Sequence, residues 1–318
     1  MLRTRGHDFL QILATSLLLG SGGCSDADTA APAGGELDEL VGDFTVRLTA
    51  QNSATGAAAR SSVVGLVKDG PDPEPIVWHA TDQSGDCTLF EPEAPFCDPA
   101  CGGRAVCTGD DECAPYPDAR SVGTVQLRGL GRGQLQLTPI SGNYMPDKGV
   151  LPYPPCDEGA PVELHADGGD YPEFSLETRC IAPLSFDATL RLERGKDLAF
   201  TWGSPGRPDL ARVQVKLDIS HHGGAKGKVE CDASDTGELA IAGSLVDRLL
   251  DLGVAGFPTI ALTRRARSGD SREPHNVHLS VLQTVERAVE VPGVMSCTAD
   301  PQCPAAQKCA TNLTCQPR

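Results

Sequence analysis

Apolar residues recur at every second position in many short stretches of the chain. Such alternation places apolar side chains on one face of a half-buried β-strand. The longest run is Val213, Val215, Leu217 and Ile219, and clusters of Gly, Pro, Asp and Asn separate the runs as turns do. Many short strands with turn signals between them favour β-sandwiches over alternating βαβ units. The pattern therefore predicts an all-β fold.

Seven further alternating runs predict strands of the same kind. They are Phe44, Val46 and Leu48; Val125 and Leu127; Leu135 and Leu137; Val162 and Leu164; Leu190 and Leu192; Leu198, Phe200 and Trp202; and Val277, Leu279 and Val281, a run that continues with Val285, Val289 and Val291. A single segment has helical periodicity, because residues 244–252 place three leucines on one face. Ser244 and Asp247 have the spacing of an N-terminal capping signal for that short helix.

The length of the chain is enough for two domains of ordinary size, because one core usually serves about 100 to 200 residues. We place a boundary near Pro183. The second segment resembles an immunoglobulin-like sandwich in length and strand count. The predicted segments are a first β-sandwich at 42–182 with a cysteine-rich insert at 87–118, a second β-sandwich at 183–293, and a C-terminal cysteine-rich module at 294–318.

The N-terminus has the composition of a secretory signal peptide over residues 1–23. Arg3 and Arg5 precede an apolar run over residues 9–19, which is too short for a membrane span, and small residues follow. Cys24 then resembles the cysteine that is acylated in bacterial lipoproteins, although Ser21 stands where those proteins usually carry leucine. Cleavage by ordinary signal peptidase is the alternative. Residues 24–41 are small and acidic and are expected to form a disordered linker.

The charge of the chain argues against some partners. The formal net charge is -16 at pH 7 for the whole chain, and it becomes -17 without residues 1–23, which contain two arginines and one aspartate. A chain this acidic is expected to repel nucleic acid and anionic lipid surfaces. No nucleic-acid partner is therefore expected.

Twelve cysteines follow Cys24, and an even number beyond a secretory signal predicts disulfides. Structural zinc is the alternative, but it favours a short Cys-x2-4-Cys spacing that only Cys97 and Cys101 provide. The sequence leaves the pairing open. The candidates are Cys87, Cys97, Cys101, Cys107, Cys113, Cys156, Cys180, Cys231, Cys297, Cys303, Cys309 and Cys315.

Two cysteine-rich segments repeat one another. The segment from Cys101 to Pro115 aligns with that from Cys303 to Pro317, as Cys-x5-Cys-x5-Cys with a proline two residues after the last cysteine. Both segments are too poor in large apolar residues to form a core, so cross-links must replace one. With the signal and the β-rich middle, they resemble uncharacterised bacterial cell-envelope lipoproteins. The resemblance implies a lipid-anchored protein of the envelope, facing the periplasm or outer membrane, and no known activity.

One stretch gathers candidate metal ligands. His221 and His222 follow a predicted strand, and Asp235 in an Asp-Thr-Gly triplet could supply a further ligand. In a loop, two adjacent histidines could bind the same metal ion, whereas in a strand they would point to opposite faces. The alternative is that both segments are turns, with Asp235 capping backbone N–H groups and Gly237 in the left-handed region. The triplet also occurs in aspartic proteases, but this sequence has no second copy of it.

A second loop carries oxygen ligands. Asp167, Asp170 and Glu173 surround two glycines, as acids do in calcium sites of β-domains, although a plain acidic surface loop is the alternative. Three tyrosines, Tyr144, Tyr153 and Tyr171, lie in the same Pro/Gly-rich connection over residues 139–173. They could stack on a sugar or pin the loop to its domain.

These features lead to one functional expectation and two alternatives. We expect a non-enzymatic surface or periplasmic lipoprotein, without a cofactor, whose β-domains bind an envelope protein or polysaccharide or take part in cell contact. The first alternative is a secreted metal-dependent hydrolase that uses His221 and His222. The second is a calcium-dependent glycan-binding module that uses the 139–173 connection.

Overall fold

A computed structural model describes residues 40–52, 55–131, 133–146, 151–270 and 276–318. The predicted signal peptide, Cys24 and the linker up to residue 39 lie outside the described residues. Leu40, at the end of the predicted linker, is fully buried, and the first strand begins at Val41.

The fold is all-β with one short helix, which confirms the fold class that the alternation predicts. The first eleven strands are β1 (Val41–Thr49), β2 (Arg60–Lys68), β3 (Val77–Ser84), β4 (Cys87–Glu93), β5 (Ala105–Gly109), β6 (Glu112–Pro115), β7 (Val125–Leu130), β8 (Gly133–Ile140), β9 (Asn143–Pro146), β10 (Pro161–Ala166) and β11 (Phe174–Arg179). The others are β12 (Leu190–Arg191), β13 (Leu198–Thr201), β14 (Arg212–Asp218), β15 (Lys228–Ser234), β16 (Glu238–Ile241), β17 (Thr259–Asp270), β18 (Asn276–Glu290), β19 (Gln307–Cys309) and β20 (Cys315–Pro317).

Fourteen of the described strands belong to one sheet. Thirteen follow the order β11-β10-β7-β8-β9-β2-β1-β18-β17-β14-β15-β4-β3, and β12 pairs separately with β18. The long hairpin β17–β18 lies at the middle of this order, and β1 pairs with β18 in parallel. Three separate two-stranded sheets are β13–β16, β5–β6 and β19–β20.

The buried apolar residues form two cores that share the long hairpin. The first core contains residues of β1, β2 and β7 to β11, together with Ala266 and the first half of β18. The second contains residues of β4 and β12 to β16, the helix, and the remaining halves of β17 and β18. Along the chain, Ile181 is in the first core and Leu184 is in the second. The two-sandwich boundary near Pro183 and the immunoglobulin-like description stay predictions.

The helix α1 spans Gly243–Asp251 and buries Leu245, Val246, Leu249 and Leu250 against the second core. The predicted capping by Ser244 and Asp247 is wrong, because the N-cap is Ala242 and makes no side-chain cap. Asp247 instead accepts a hydrogen bond from Gly195 N at 2.8 Å. Among the described residues, no helix has the length and apolar character that crossing a membrane requires.

All twelve candidate cysteines form six disulfides, which confirms the disulfide prediction over the zinc alternative. Two bridges, Cys87–Cys231 and Cys156–Cys180, lie in the part of the fold that contains the two cores, which we call the β-body. The other four staple two modules that we call the first knob (residues 94–118) and the second knob (residues 294–318). They are Cys97–Cys107, Cys101–Cys113, Cys297–Cys309 and Cys303–Cys315.

The two knobs share one design. In each, the four cysteines pair first with third and second with fourth. Each contains a small hairpin, β5–β6 or β19–β20, on which the last two cysteines face one another across the strands. Cys87 lies outside the first knob, because it belongs to β4 and pairs with β15. The internal repeat seen in the sequence is therefore a structural repeat.

Candidate functional site

The adjacent histidines lie in the turn that follows β14. Their rings are close, with centroids 4.0 Å apart, and His222 adopts a positive φ of 64°. The backbone of the turn is held by a neighbouring segment, because His221 O accepts a hydrogen bond from Phe257 N at 2.8 Å. Ala255 N likewise donates to Ile219 O at 3.1 Å.

The glycine after the histidines makes this docking possible. A Cβ on Gly223 would lie 2.3 Å from Gly256 N, so a side chain there would push the two segments apart. Gly256 in turn joins the second knob, since its N donates to Asn312 O at 2.7 Å and its O accepts from Ser296 Oγ at 2.6 Å. The His-His-Gly-Gly segment thus helps to fasten the second knob to the β-body.

Asp235 is part of a buried ion pair, with 0% of its side chain exposed. Its Oδ2 accepts from Arg264 Nε at 2.6 Å, and its Oδ1 accepts from Arg264 Nη2 at 3.0 Å and from Trp202 Nε1 at 2.8 Å. The expectation that this side chain caps turn N–H groups is wrong, because both oxygens serve Arg264 and Trp202. Gly237 does adopt the predicted left-handed conformation, with φ 97°.

The partner arginine ties together the two cores. Arg264 lies on β17 with 1% of its side chain exposed. Besides Asp235, it donates to the carbonyls of Ala182, Pro183 and Gly203 at 2.6–3.2 Å. All three guanidinium nitrogens are thus hydrogen-bonded, as a buried charge requires.

The residue opposite Arg264 on β18 holds the same connection. Gln283 is fully buried and exchanges two hydrogen bonds with the backbone of Leu184, at 2.9 and 3.1 Å. Arg264 and Gln283 together fix residues 182–184, where the chain passes from one core to the other. This polar cluster is a structural joint.

The structure does not gather the predicted metal ligands. Within the described ranges, the sets of three or more ligand atoms within 4.8 Å of one another consist of cysteines that are in disulfides. His221, His222 and Asp235 form no such set, and neither do Asp167, Asp170 and Glu173.

The acidic loop is fastened to its own domain. Asp170 Oδ2 accepts from Ser121 N at 2.8 Å, while Asp167 lies 3.5 Å from His165 Nε2 and Glu173 is exposed. The connection over 139–173 is also shorter than predicted, because β9 and β10 lie within it.

The three tyrosines of that connection are turned inward. Tyr144 is fully buried, packs edge-on against Phe44 and accepts a hydrogen bond from Val122 N at 2.7 Å. Tyr171 is 7% exposed, and Tyr153 packs against the first core. The side chains that were candidates for sugar stacking therefore contribute to the domain interior.

The surroundings of His278 on β18 predict that the stability of the fold depends on pH. Burial, followed by the positive charge of Arg267, lowers the pKa of this imidazole below its usual 6.5, although Asp43 opposes the shift. At a pH between the folded pKa and 6.5, the unfolded chain therefore binds more protons than the folded chain. We expect the free energy of unfolding to decrease as pH falls below about 6.5 and His278→Gln to reduce that decrease. Denaturant unfolding at several pH values measures both, and identical pH profiles for the two proteins would contradict the assignment.

The first knob carries the most exposed large apolar side chain of the described residues. Phe96 is 71% exposed and Tyr116 on the same knob is 48% exposed. Phe96 O accepts a hydrogen bond from Asp111 N at 2.9 Å, and Phe96 N donates to Asp110 at 3.2 Å. The backbone that presents the ring is therefore fixed at the tip of β5–β6, although the ring itself is in solvent.

The base of the first knob is fastened to the end of β2. Asp69 and Asp118 exchange hydrogen bonds of 2.7 and 3.1 Å, and Arg120 pairs with Asp69 at 2.5 Å. Arg104 pairs with Asp118 at 2.7 Å. The knob is thus a rigid projection with two aromatic side chains on its surface.

An open cleft of about 800 Å³ lies between the second core and the second knob. Arg191, Glu193 and Arg194 line one side, while Asn312 and Gln316 line the other. The charged groups are already paired, Arg191 with Glu193 at 3.2 Å and Arg194 with Asp251 at 2.7 Å. Sequence inspection missed this cleft because its walls are distant along the chain.

No protein family model matches this chain, and no curated protein matches it in sequence.

Proposed function

We propose that this protein is a non-enzymatic lipoprotein of the bacterial envelope, anchored through Cys24, that binds another envelope protein through its first knob. The observation that carries the proposal is the 71% exposure of Phe96 on a disulfide-stapled hairpin. The proposal includes an immunoglobulin-like sandwich for residues 183–293.

Exposing a phenylalanine to water costs free energy that burial against a partner recovers. Full burial of such a side chain contributes about 1.5 to 3 kcal/mol. Phe and Tyr are also enriched at the centres of protein interfaces. Because two disulfides already order the knob, binding loses little conformational entropy. An exposed aromatic side chain on a rigid scaffold is therefore typical of a protein-binding surface.

The charge of the first knob indicates the chemistry of the partner. The knob has five acidic residues and one basic residue, Arg104, and all five acids are exposed. A complementary surface has an apolar pocket for Phe96 with lysine and arginine side chains around it. Raising the salt concentration should weaken the complex through the same charges.

Comparative capture tests the proposal. Wild-type full chain, Phe96→Ala and Met295→Ala are immobilised and incubated with envelope extract from the producing cells. Met295 is a matched control, because it is 48% exposed and lies in the second knob. We expect Phe96→Ala to lose a partner protein by at least about 10-fold, a loss typical of an interface hot spot. Met295→Ala should retain it, and equal recovery by all three proteins would contradict the proposal.

The anchor has its own test. Cys24→Ser removes the thiol that the lipid would modify, so the variant should move from the detergent phase to the aqueous phase in phase partitioning. Mass spectrometry of the wild-type N-terminal peptide should show diacylated Cys24. An unmodified N-terminus after ordinary signal cleavage would refute lipidation while leaving the knob proposal open to its own test.

A further inference from the structure

One face of the long hairpin gathers arginines despite the strong negative charge of the chain. On β17, Arg264 and Ala266 point toward the cores, so Arg265 and Arg267, at the alternate positions, lie on the opposite face, which we call the outer face. Arg47 on β1 lies on the outer face too, in the same cross-strand row as Arg265. The outer face is therefore locally basic, although the net charge of the whole chain is -16.

The charges on this face are only partly compensated. Burial, followed by the positive charge of Arg265, lowers the pKa of Arg267 below its ordinary value, and Asp43 opposes this shift without cancelling it. Of the side chains that the structure describes, no carboxylate lies within 4.0 Å of the guanidinium of Arg265 or Arg267. Two neighbouring guanidinium groups in this state attract an anion.

An unpartnered hydroxyl lies beside them. Ser280 on β18 faces Arg267 across the ladder, and it lies on the outer face because Leu279 and Val281 point into the first core. The residue is 0% exposed, and its Oγ has no hydrogen-bond partner among the described residues. A buried hydroxyl without a partner costs free energy, so it indicates a group that completes the site.

We propose that Arg265, Arg267 and Ser280 bind a tetrahedral oxyanion, that is, a phosphate or sulfate group. A guanidinium can donate two parallel hydrogen bonds to such a group, and the serine hydroxyl supplies a further donor. The expectation that the chain repels nucleic acid and anionic lipid surfaces rests on the net charge and stays a prediction, whereas this proposal concerns the local charge of the outer face.

Exposed apolar residues beside the site bear on whether the oxyanion is a free ion or the headgroup of a larger molecule. The cross-strand row of Arg267 and Ser280 continues through Thr45 to Val64, and Met145 lies on the next strand, β9. Val64 and Met145 are 38% and 45% exposed. The oxyanion is thus either free or the headgroup of a molecule whose apolar part lies along this strip.

Calorimetric titration of the full chain separates these cases. The probes are inorganic phosphate and hexyl phosphate, and the variants are Arg267→Gln, Arg265→Gln and Ser280→Ala. Arg128→Gln is the matched control, because Arg128 is an exposed arginine on β7 whose loss changes the net charge equally. Unfolding curves for each variant establish that it is folded.

We expect saturable binding of both probes, weakened at least about 10-fold in either site arginine variant, as the loss of a charge-assisted hydrogen bond predicts. Ser280→Ala should weaken it less, and Arg128→Gln should leave it unchanged. If hexyl phosphate binds more tightly than inorganic phosphate, the oxyanion is the headgroup of a molecule with an apolar part. If the two probes bind equally, the ligand is a free oxyanion. The proposal is overturned if wild type binds neither probe at millimolar concentration, or if Arg128→Gln weakens binding as much as Arg267→Gln.

Discussion

Replacing Asp235 with alanine is expected to lower the free energy of unfolding by about 3 to 5 kcal/mol. The substitution leaves Arg264, which is 1% exposed, as a buried charge without its counter-ion. It also removes the acceptor of Trp202 Nε1. Because Arg264 fixes residues 182–184, we expect both cores to lose stability together. Chemical denaturation monitored by circular dichroism measures the change.

A neighbouring surface pair provides the control. Asp232 on β15 pairs with Arg212 at 2.7 Å, but more than half of each side chain is exposed. Asp232→Ala should therefore cost about 0 to 1 kcal/mol, the usual range for an exposed ion pair. Equal losses in the two variants would mean that the buried pair is not the joint between the cores.

Removing the Cys87–Cys231 bridge is expected to have the other large effect. The bridge joins residues 144 apart in sequence, and the chain-entropy treatment gives a loss of about 5 kcal/mol for a loop of this length. Both residues are buried in the second core, on directly opposed positions of β4 and β15. The double variant Cys87→Ala/Cys231→Ala should unfold at a clearly lower denaturant concentration than the wild type.

The short bridges are the natural comparison. Cys101–Cys113 closes a loop with a separation of 12, for which the same treatment gives about 3 kcal/mol. That loss falls on the first knob, which is outside both cores, so Cys101→Ala/Cys113→Ala should leave the main unfolding transition in place. A main transition that shifts more in the knob variant than in the Cys87/Cys231 variant would contradict this division.

Alternation predicted strands such as β14 but missed others, including β2 and β11, which also bury one face. The run from Val213 to Ile219 became β14, with apolar residues inside. β17 was missed because its inward positions include Arg264, which breaks the apolar period. β3 is an edge strand that buries no residue, so neither of its faces carries an apolar signal.

The other features that the sequence did not predict depend on contacts between residues that are distant along the chain. The Asp-Thr-Gly triplet looks like a local turn, and nothing near it in sequence indicates that Asp235 pairs with Arg264. The repeat of the two knobs was visible from spacing, but several pairings satisfy the same spacing. The outer-face arginines have a sequence signal, since an alternating Arg265-x-Arg267 on a strand places both charges on one side. The net charge sums over the whole chain, so it does not indicate this local pair of positive charges.

Site-specific photo-crosslinking in the producing cells tests the proposed binding surface most directly. A photoreactive phenylalanine analogue replaces Phe96 in one strain and Ile140 in another, because Ile140 is 59% exposed on β8, outside the first knob. We expect a discrete protein adduct from position 96 and none from position 140. No adduct at position 96, or the same adduct at both positions, would contradict recognition through the first knob.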